Sequence, residues 1–275
     1  MKSKQKKISH STSGDTSKSR GAAECIGEEQ ITDLSKTHVD DGQTPDCTEK
    51  EKECGKLKKN LRIATWNVRS MSSGKLDNII EEAVRTGVDI LGIAQHRWPG
   101  QGHFRPSAGG LMVYAGRARG GQGGAGLYLN QKASKSLLGY HPVNDRIISI
   151  HLRGKVKEVT VIQAYAPTSN AAEEDRELFY NQLQTHVDKY RKDVVVIVGD
   201  FNAKVGKRTN ENEKRAIGNF ALGERNDNGE ELVNFAIENE LSIMNNMFQK
   251  HPRRLFTCTS PDGNTKNQID YVLIQ

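Results

Sequence analysis

The stretch that most constrains this chain is Asp193 to Gly206, DVVVIVGDFNAKVG. Val194 to Val198 is apolar and β-branched throughout, too short to span a membrane and too uniform for a half-exposed strand. Such a run fits a strand buried on both faces in the middle of a sheet. It stops at Gly199, and Asp200 and Asn202 come directly after. Residues two apart on an extended chain point the same way, so a carboxylate and a carboxamide are expected side by side at the strand's exit. Polar groups where a buried strand emerges are where α/β architectures tend to put chemistry. A strand closed by an ordinary Asp/Asn turn fits the same residues.

The first 60 residues cannot supply the rest of such a sheet. They contain no Phe, Trp or Tyr, are rich in Ser, Thr, Lys, Glu and Asp, and carry 12 basic against 11 acidic side chains. A segment like this buries too little apolar surface to offset its ordering entropy, so residues 1–60 are expected to be a disordered polar tail. Most of the formal charge of +6 then belongs to residues 61–275, a balance compatible with nucleic acid but not a demonstration of it. The first residues show no apolar signal-peptide core. Cys25, Cys47 and Cys54 stand in the tail and Cys258 far from them, with no close Cys pair, which argues against a disulfide framework or a zinc site. An intracellular protein is expected. Lys2, Lys4, Lys6 and Lys7 form either a solvated tail or a nuclear signal, and nuclear location is carried as an expectation.

From Leu61 the pattern changes. LRIATWNV alternates and ends near Asn67, KLDNIIEEAVR (75–85) has one apolar helical face, and VDILGIAQ (88–95) is a second apolar strand ending in Gln95. LMVYAG (111–116), GAGLYLN (124–130), RIISIHL (146–152) and EVTVIQAYAP (158–167) read as strands. Helices are expected over 171–190, with acids in the first turn, and over 229–239, and an irregular loop over 206–225. LSIMNN, RRLFTCTS and QIDYVLI read as the last strands. Many strands with a few long helices imply one α/β domain over 61–275, of packed sheets with helices outside.

Polar groups recur at these strand ends: Asn67, Gln95, Tyr165, Asp200 with Asn202, and Asp270. If the strands lie adjacent in two facing sheets, these groups converge on one edge. Oxygen ligands of this kind suit a hard cation such as Mg²⁺. A Tyr hydroxyl and Asn amides can hold phosphate oxygens while a carboxylate orients an attacking water. Each residue also has an ordinary reading: Asn67 as a cap, Tyr165 as a core aromatic with a wet hydroxyl, Asp270 facing solvent.

Taken in order, TWNVRS, ILGIAQHRW, QAYAPTS, VGDFNAKVG and QIDYVLI resemble the endonuclease/exonuclease/phosphatase superfamily, and within it the apurinic-type endonuclease domains of RTE-kind non-LTR retrotransposons. The resemblance covers Leu61 to Gln275. It implies a four-layer α/β sandwich, two packed mixed sheets flanked by helices, and Mg²⁺-dependent (or Mn²⁺-dependent) cleavage of a DNA phosphodiester. It also implies roles. Asn67 would help hold metal and phosphate, Tyr165 would contact the scissile phosphate, and Asp200 would orient or deprotonate the water. Asn202 would partner Asp200, and Asp270 would be a further site acid; Asn67, Gln95, Asp200 and Asn202 would be the metal ligands.

Two departures from the family stand out. Gln95 occupies the place of a metal-ligand Glu and lacks its charge, so metal affinity is expected to fall. The family's later Ser-Asp-His strand has no counterpart before Gln275. A sheet lacking its last strand, an exposed edge along QIDYVLI and self-association through that edge are therefore expected. The leading expectation is a DNA endonuclease of retrotransposon origin, weakened or inactive in this copy. A non-catalytic nucleic-acid- or protein-binding module and a small-molecule phosphatase are the alternatives. Gly121 to Gly126 matches G-x-G-x-x-G, but it runs into a strand where a dinucleotide site needs a helix, so a hairpin connection is expected. His96 is expected to pack or face solvent. Trp98 is expected in the core, with Arg97 and Trp98 as alternative nucleic-acid contacts.

Overall fold

Alternating burial along β9 (Val194–Asp200) organises the molecule. Val195 and Ile197 face one way, into a core shared with helices; Val196 and Val198 face the other way, into a core shared with a second sheet. The computed structural model describes residues 60–71, 74–119, 121–260 and 263–275; the polar segment before residue 60, and the disorder expected of it, lie outside them.

Two mixed sheets result. Along one, β1 (Ile63–Asn67), β2 (Ile90–Ala94), β3 (Gln101–Phe104), β4 (Leu111–Ala115) and β5 (Ala125–Leu129) stand in the order β1-β2-β5-β4-β3. β6 (Leu137–Pro142), β7 (Ile147–Leu152), β8 (Val159–Tyr165), β9, β10 (Ser242–Ile243) and β13 (Asp270–Ile274) build the other, in the order β10-β13-β9-β8-β7-β6. A separate hairpin pairs β11 (Cys258–Thr259) with β12 (Lys266–Asn267).

Three helices close the outer faces. α1 (Lys75–Thr86) puts Ile79, Ile80 and Ala83 on the five-stranded sheet, against Leu91, Ile93 and Met112. It ends at Gly87, whose φ of 69° allows the left-handed cap that a side chain would resist. α2 (Glu173–Lys189) and α3 (Asp227–Glu238) cover the six-stranded sheet with Phe179, Leu183, Val187, Leu232, Val233 and Ala236. Asn226 caps α3 by accepting from the backbone of Gly229. The layers run helix, sheet, sheet, helices, as the resemblance implies, with an apolar core in each of the three spaces between them.

Gly92, in the middle of β2, marks a close approach of the two sheets. A Cβ there would collide with Gln163 Oε1 from β8 and press on Val198 from β9. Gln163 is fully buried between the sheets, where it accepts from Thr65 Oγ1 at 3.3 Å.

Five segments differ from what their sequences suggest. β3 and β6 are strands that the sequence does not announce. LSIMNN pairs over two residues only before a 3₁₀ turn, and RRLFTCTS over Cys258 and Thr259 only. β13 is not left with an open edge along its length: Ser242 and Ile243 pair with Ile274 and Leu273, and the Asn245 side chain binds the backbone of Val272 and Asp270. Gly121 to Gly126 leads into β5 as a connection between strands, as expected, with Gly121, Gly123 and Gly124 at positive φ.

Candidate active site

Three strands, the partly exposed β1 and the buried β2 and β9, release their chains at one edge of the sandwich, and the backbone is unusual at each exit. Six described non-glycine residues have positive φ: Arg69 (53°), Ser70 (133°), Gln95 (61°), Arg97 (65°), Asn202 (49°) and Glu240 (55°). All but Glu240 lie within three residues of the end of one of these strands. Left-handed conformations cost L-residues energy and persist where the surroundings impose them, often at functional sites.

The two central groups come from neighbouring strands. Asp200 ends β9 and Asp270 begins β13, and antiparallel pairing sets them directly opposite, with side chains on the same face. Asn67, at the end of β1 in the other sheet, reaches across and donates from Nδ2 to Asp200 Oδ2 at 2.6 Å. Asp200 Oδ1 accepts the backbone N–H of Asn202 at 3.0 Å. The Asp270 backbone N–H donates to Thr257 Oγ1, whereas its carboxylate Oδ1 is buried and meets no hydrogen-bond partner among the described residues.

Burial pushes the Asp200 carboxyl above its usual range, against the pull of the Asn67 and Asn202 hydrogen bonds and of the Arg69 charge. Burial first, and then the charge of Asp200, push Asp270 up to about 7. Two like charges this deeply buried resist being ionised together.

Tyr165, Gln95 and Asn202 lie near the same edge. Tyr165 ends β8 opposite Asp200 and is buried. Its hydroxyl accepts from Gln95 Nε2, and the guanidinium of Arg146 lies 5.2 Å from its ring centroid. Asn202 departs from the simple alternation, because the strand stops at Asp200 and the chain turns left-handed. Its carboxamide Nδ2 donates to Ala166 O at 2.9 Å, and its backbone N–H serves Asp200. His96 is buried with Nε2 near the carbonyls of Ala115 and Ala125, and burial lowers its pKa to about 4. Trp98 donates to Met71 O and packs among His96, Phe104 and Tyr114. His96 therefore packs, as expected.

A cleft of about 280 Å³ opens beside the acid pair, lined by Asn67, Arg69, Asp200 and Asp270 with Trp66, Asn245 and Thr257 among others. Arg69, Arg146 and Thr257 do not stand out in the sequence. Arg69 comes two residues after the motif's Asn and carries no local pattern of its own, Arg146 opens a strand, and Thr257 sits where a longer strand was expected.

A hard divalent cation fits this donor set. Asp200 and Asp270 are buried like charges, one Asp270 oxygen is orphaned, and Asn67, Gln95 and Asn202 add amide oxygens, with neither sulfur nor imidazole among these five residues. Asn67 Oδ1 already accepts the backbone N–H of Arg69. Among the described residues, the one trio of His, Cys, Asp or Glu side chains close enough to share an ion is His151, Glu158 and Asp193. It lies by the start of β9, at the end opposite Asp200.

Comparison with known proteins agrees with this architecture. The Endonuclease/Exonuclease/phosphatase family profile matches residues 64–275. Craniofacial development protein 2 of Bos taurus is 38% identical over 280 aligned positions, covering 98% of this chain and 46% of that protein. The protein of the same name from Tragulus javanicus is 41% identical over 218 positions, covering 78% and 37%. The chain thus spans less than half the length of these curated relatives. Among solved structures, the endonuclease domain of TRAS1, a telomere-specific non-LTR retrotransposon, aligns with a TM-score of 0.52 at 15% identity, over 78% of this chain and 85% of that one. An AP endonuclease from Archaeoglobus fulgidus aligns with a TM-score of 0.53 at 16% identity, over 78% and 86%. At such identities these two likenesses speak for the fold alone.

Proposed function

The chain belongs to the endonuclease/exonuclease/phosphatase family, and from that premise we propose that it is a Mg²⁺-dependent DNA endonuclease of retrotransposon origin, hydrolysing phosphodiesters slowly because Gln95 stands where a carboxylate would serve better. The observation that carries this reading is the buried Asp200–Asp270 pair, at the end of β9 and the start of β13, one of whose oxygens has no partner among the described residues.

Asp200 is the group that orients the attacking water and takes its proton. Asn67 and the Asn202 N–H fix its two oxygens, which aims the carboxylate at the position a water would occupy. Tyr165 grips the phosphate: its hydroxyl accepts from Gln95 Nε2, which leaves its own proton free to donate to a phosphate oxygen. Asp270 adds the second carboxylate. Mg²⁺ held by Asp200 and Asp270 with amide oxygens of Asn67, Gln95 and Asn202 would neutralise charge on the phosphate. Replacing a carboxylate by Gln95 removes part of the attraction for the ion while keeping one carbonyl oxygen. DNA as substrate and nuclear location are part of the same proposal. No helix among the described residues is long and apolar enough to cross a membrane.

Gln95 also favours a second reading, a DNA-binding module that does not cut. Relaxation of supercoiled plasmid with and without Mg²⁺ separates the two. Slow nicking that requires Mg²⁺ and disappears in Asp200→Asn supports the enzyme. No nicking by the unmodified chain, together with retained DNA binding in chelator, supports the module.

A further inference from the structure

We propose that Arg69 is the phosphate-gripping cation of the cleft, a contact that holds the DNA backbone whether or not metal is bound. The proposal rests on the nucleic-acid reading above and adds a residue to it.

Arg69 lies just past the β1 exit, and its placement is imposed rather than relaxed. Its φ is 53° and that of Ser70 is 133°, neither a conformation that arginine or serine prefers. Asn67 Oδ1 accepts the Arg69 N–H at 3.0 Å, so the residue that binds Asp200 also sets the arginine's backbone. The Val68 N–H donates to Ala94 O and the Met71 N–H to His96 O, both at 3.0 Å, which ties the turn to the chain around the end of β2. Strain retained under that many restraints needs a reason beyond chain reversal.

The side chain crosses to β11. Nη2 donates to Cys258 Sγ and to Thr259 O, each at 3.4 Å, long contacts that aim the guanidinium along the cleft wall without neutralising it. No carboxylate forms an ion pair with Arg69 among the described residues, and no hydrogen bond among them uses its Nε or Nη1. Arg146, the other guanidinium placed at this edge, already stacks over Tyr165 and donates to its carbonyl. An arginine fixed at its base, steered at its tip and left with spare donors beside two carboxylates suits planar, bidentate recognition of a phosphate. Asp200 and Asp270 would otherwise repel that phosphate in the absence of metal.

The alternative is that Arg69 merely staples the β11–β12 hairpin to β1. Both are tested on the full chain, in chelator, with a labelled duplex of about 20 base pairs. Arg69→Ala should weaken binding about tenfold and reduce the slope of log K against log salt by about 1, the signature of one lost phosphate contact. Arg69→Lys should keep most of the slope. Arg191→Ala, near the opposite end of β9, should change neither. An unchanged slope in Arg69→Ala, or an equal loss in Arg191→Ala, overturns the proposal.

A second readout uses no DNA. Inorganic phosphate should slow alkylation of Cys258, monitored by peptide mass spectrometry, in the unmodified chain and not in Arg69→Ala. Phosphate protection without DNA binding supports Arg69 and sinks the nucleic-acid reading. DNA binding with no phosphate protection and an unchanged salt slope overturns Arg69 and spares that reading. If Arg69→Ala fails to fold, Arg69→Lys against Arg69→Gln carries the same two measurements.

Discussion

Asp193 and Asp200 flank the same buried strand, one just before β9 and one closing it, and their surroundings are opposite. Asp193 Oδ2 accepts from Thr160 Oγ1 at 2.9 Å and lies 3.3 Å from His151 Nδ1, and the far nitrogen of that ring reaches Glu158 at 2.6 Å. Asp193 and Glu158 thus both have complementary partners at that end. Asp200, seven residues later, is set beside another acid, is buried, and has a neighbour with an orphaned oxygen. Glu213 repeats the first pattern. Arg225 binds it through two nitrogens at 2.8 Å and Thr209 adds two more bonds, holding the Glu213 carboxyl down at about 2. Asp193 and Glu213 are each held by several donors. Of the two acids beside the cleft, Asp200 has donors on both oxygens but sits against a second buried carboxylate, and Asp270 Oδ1 has no donor among the described residues, which folding alone would not favour and ligand binding would.

The largest expected difference between the two ends is in activity. Asp200→Asn should lower the plasmid-nicking rate by a factor on the order of 10³, about 4 kcal/mol of barrier. Asp193→Asn should leave the rate within about twofold. Equal losses in the two variants would break the contrast.

Titration gives the next effect. An acid whose folded pKa is raised keeps its proton in the folded state while the unfolded chain loses its own. Stability from this source is therefore complete at low pH and falls as pH rises from about 4 towards 7. In metal-free buffer, Asp270→Asn should remove roughly 2 kcal/mol of that decline, giving a higher melting midpoint than the unmodified chain at about pH 8 and little advantage at about pH 4. His96 and His186, both lowered to about 4 chiefly by burial, act with the opposite sign and weaken the fold as pH drops below about 6.5. Comparison with Asp270→Asn isolates the acid.

Stability then separates the two ends a second way. Asp193→Ala strands His151 and Thr160 and should cost about 1 kcal/mol by denaturant unfolding, while Asp270→Asn, which relieves a like-charge contact, should cost nothing or stabilise. The smallest effect concerns the ion. Mg²⁺ in the millimolar range should raise the melting midpoint at about pH 8 by a degree or two, and Gln95→Glu should enlarge that rise while Asp270→Asn removes it. A rise of the same size in Asp270→Asn would place the ion elsewhere, with the His151 trio as the first place to look.

Much of this is legible in the residues themselves. β9 announces itself by five β-branched residues, and Asn67, Gln95, Tyr165, Asp200 and Asp270 read as strand exits because a hydrophobic run bounded by a polar residue leaves few other readings. β3 and β6 are hidden by their composition. QGHF is a half-exposed edge strand containing Gly, and LLGYHP carries Gly and Pro beside a register shift. Asn202 is misaimed by a reading that extends the alternation past the end of the strand. Arg69 falls within TWNVRS but is not singled out there, since its placement depends on a left-handed turn and on a hairpin 190 residues away.

Gly92 has a mechanical meaning that its place in the core does not advertise. It sits mid-strand in β2, where the absence of a methyl group lets Gln163 and Val198 of the facing sheet come close. Asn67 and Asp200 belong to opposite sheets and meet at the tips, 2.6 Å apart. A wedge inserted there, as in Gly92→Ala, would force Gln163 and Val198 to give way and is expected to separate the sheets. The Asn67–Asp200 spacing would then depend on a position that touches neither residue, and compensating changes would be sought at Gln163 and Val198 rather than at the acids.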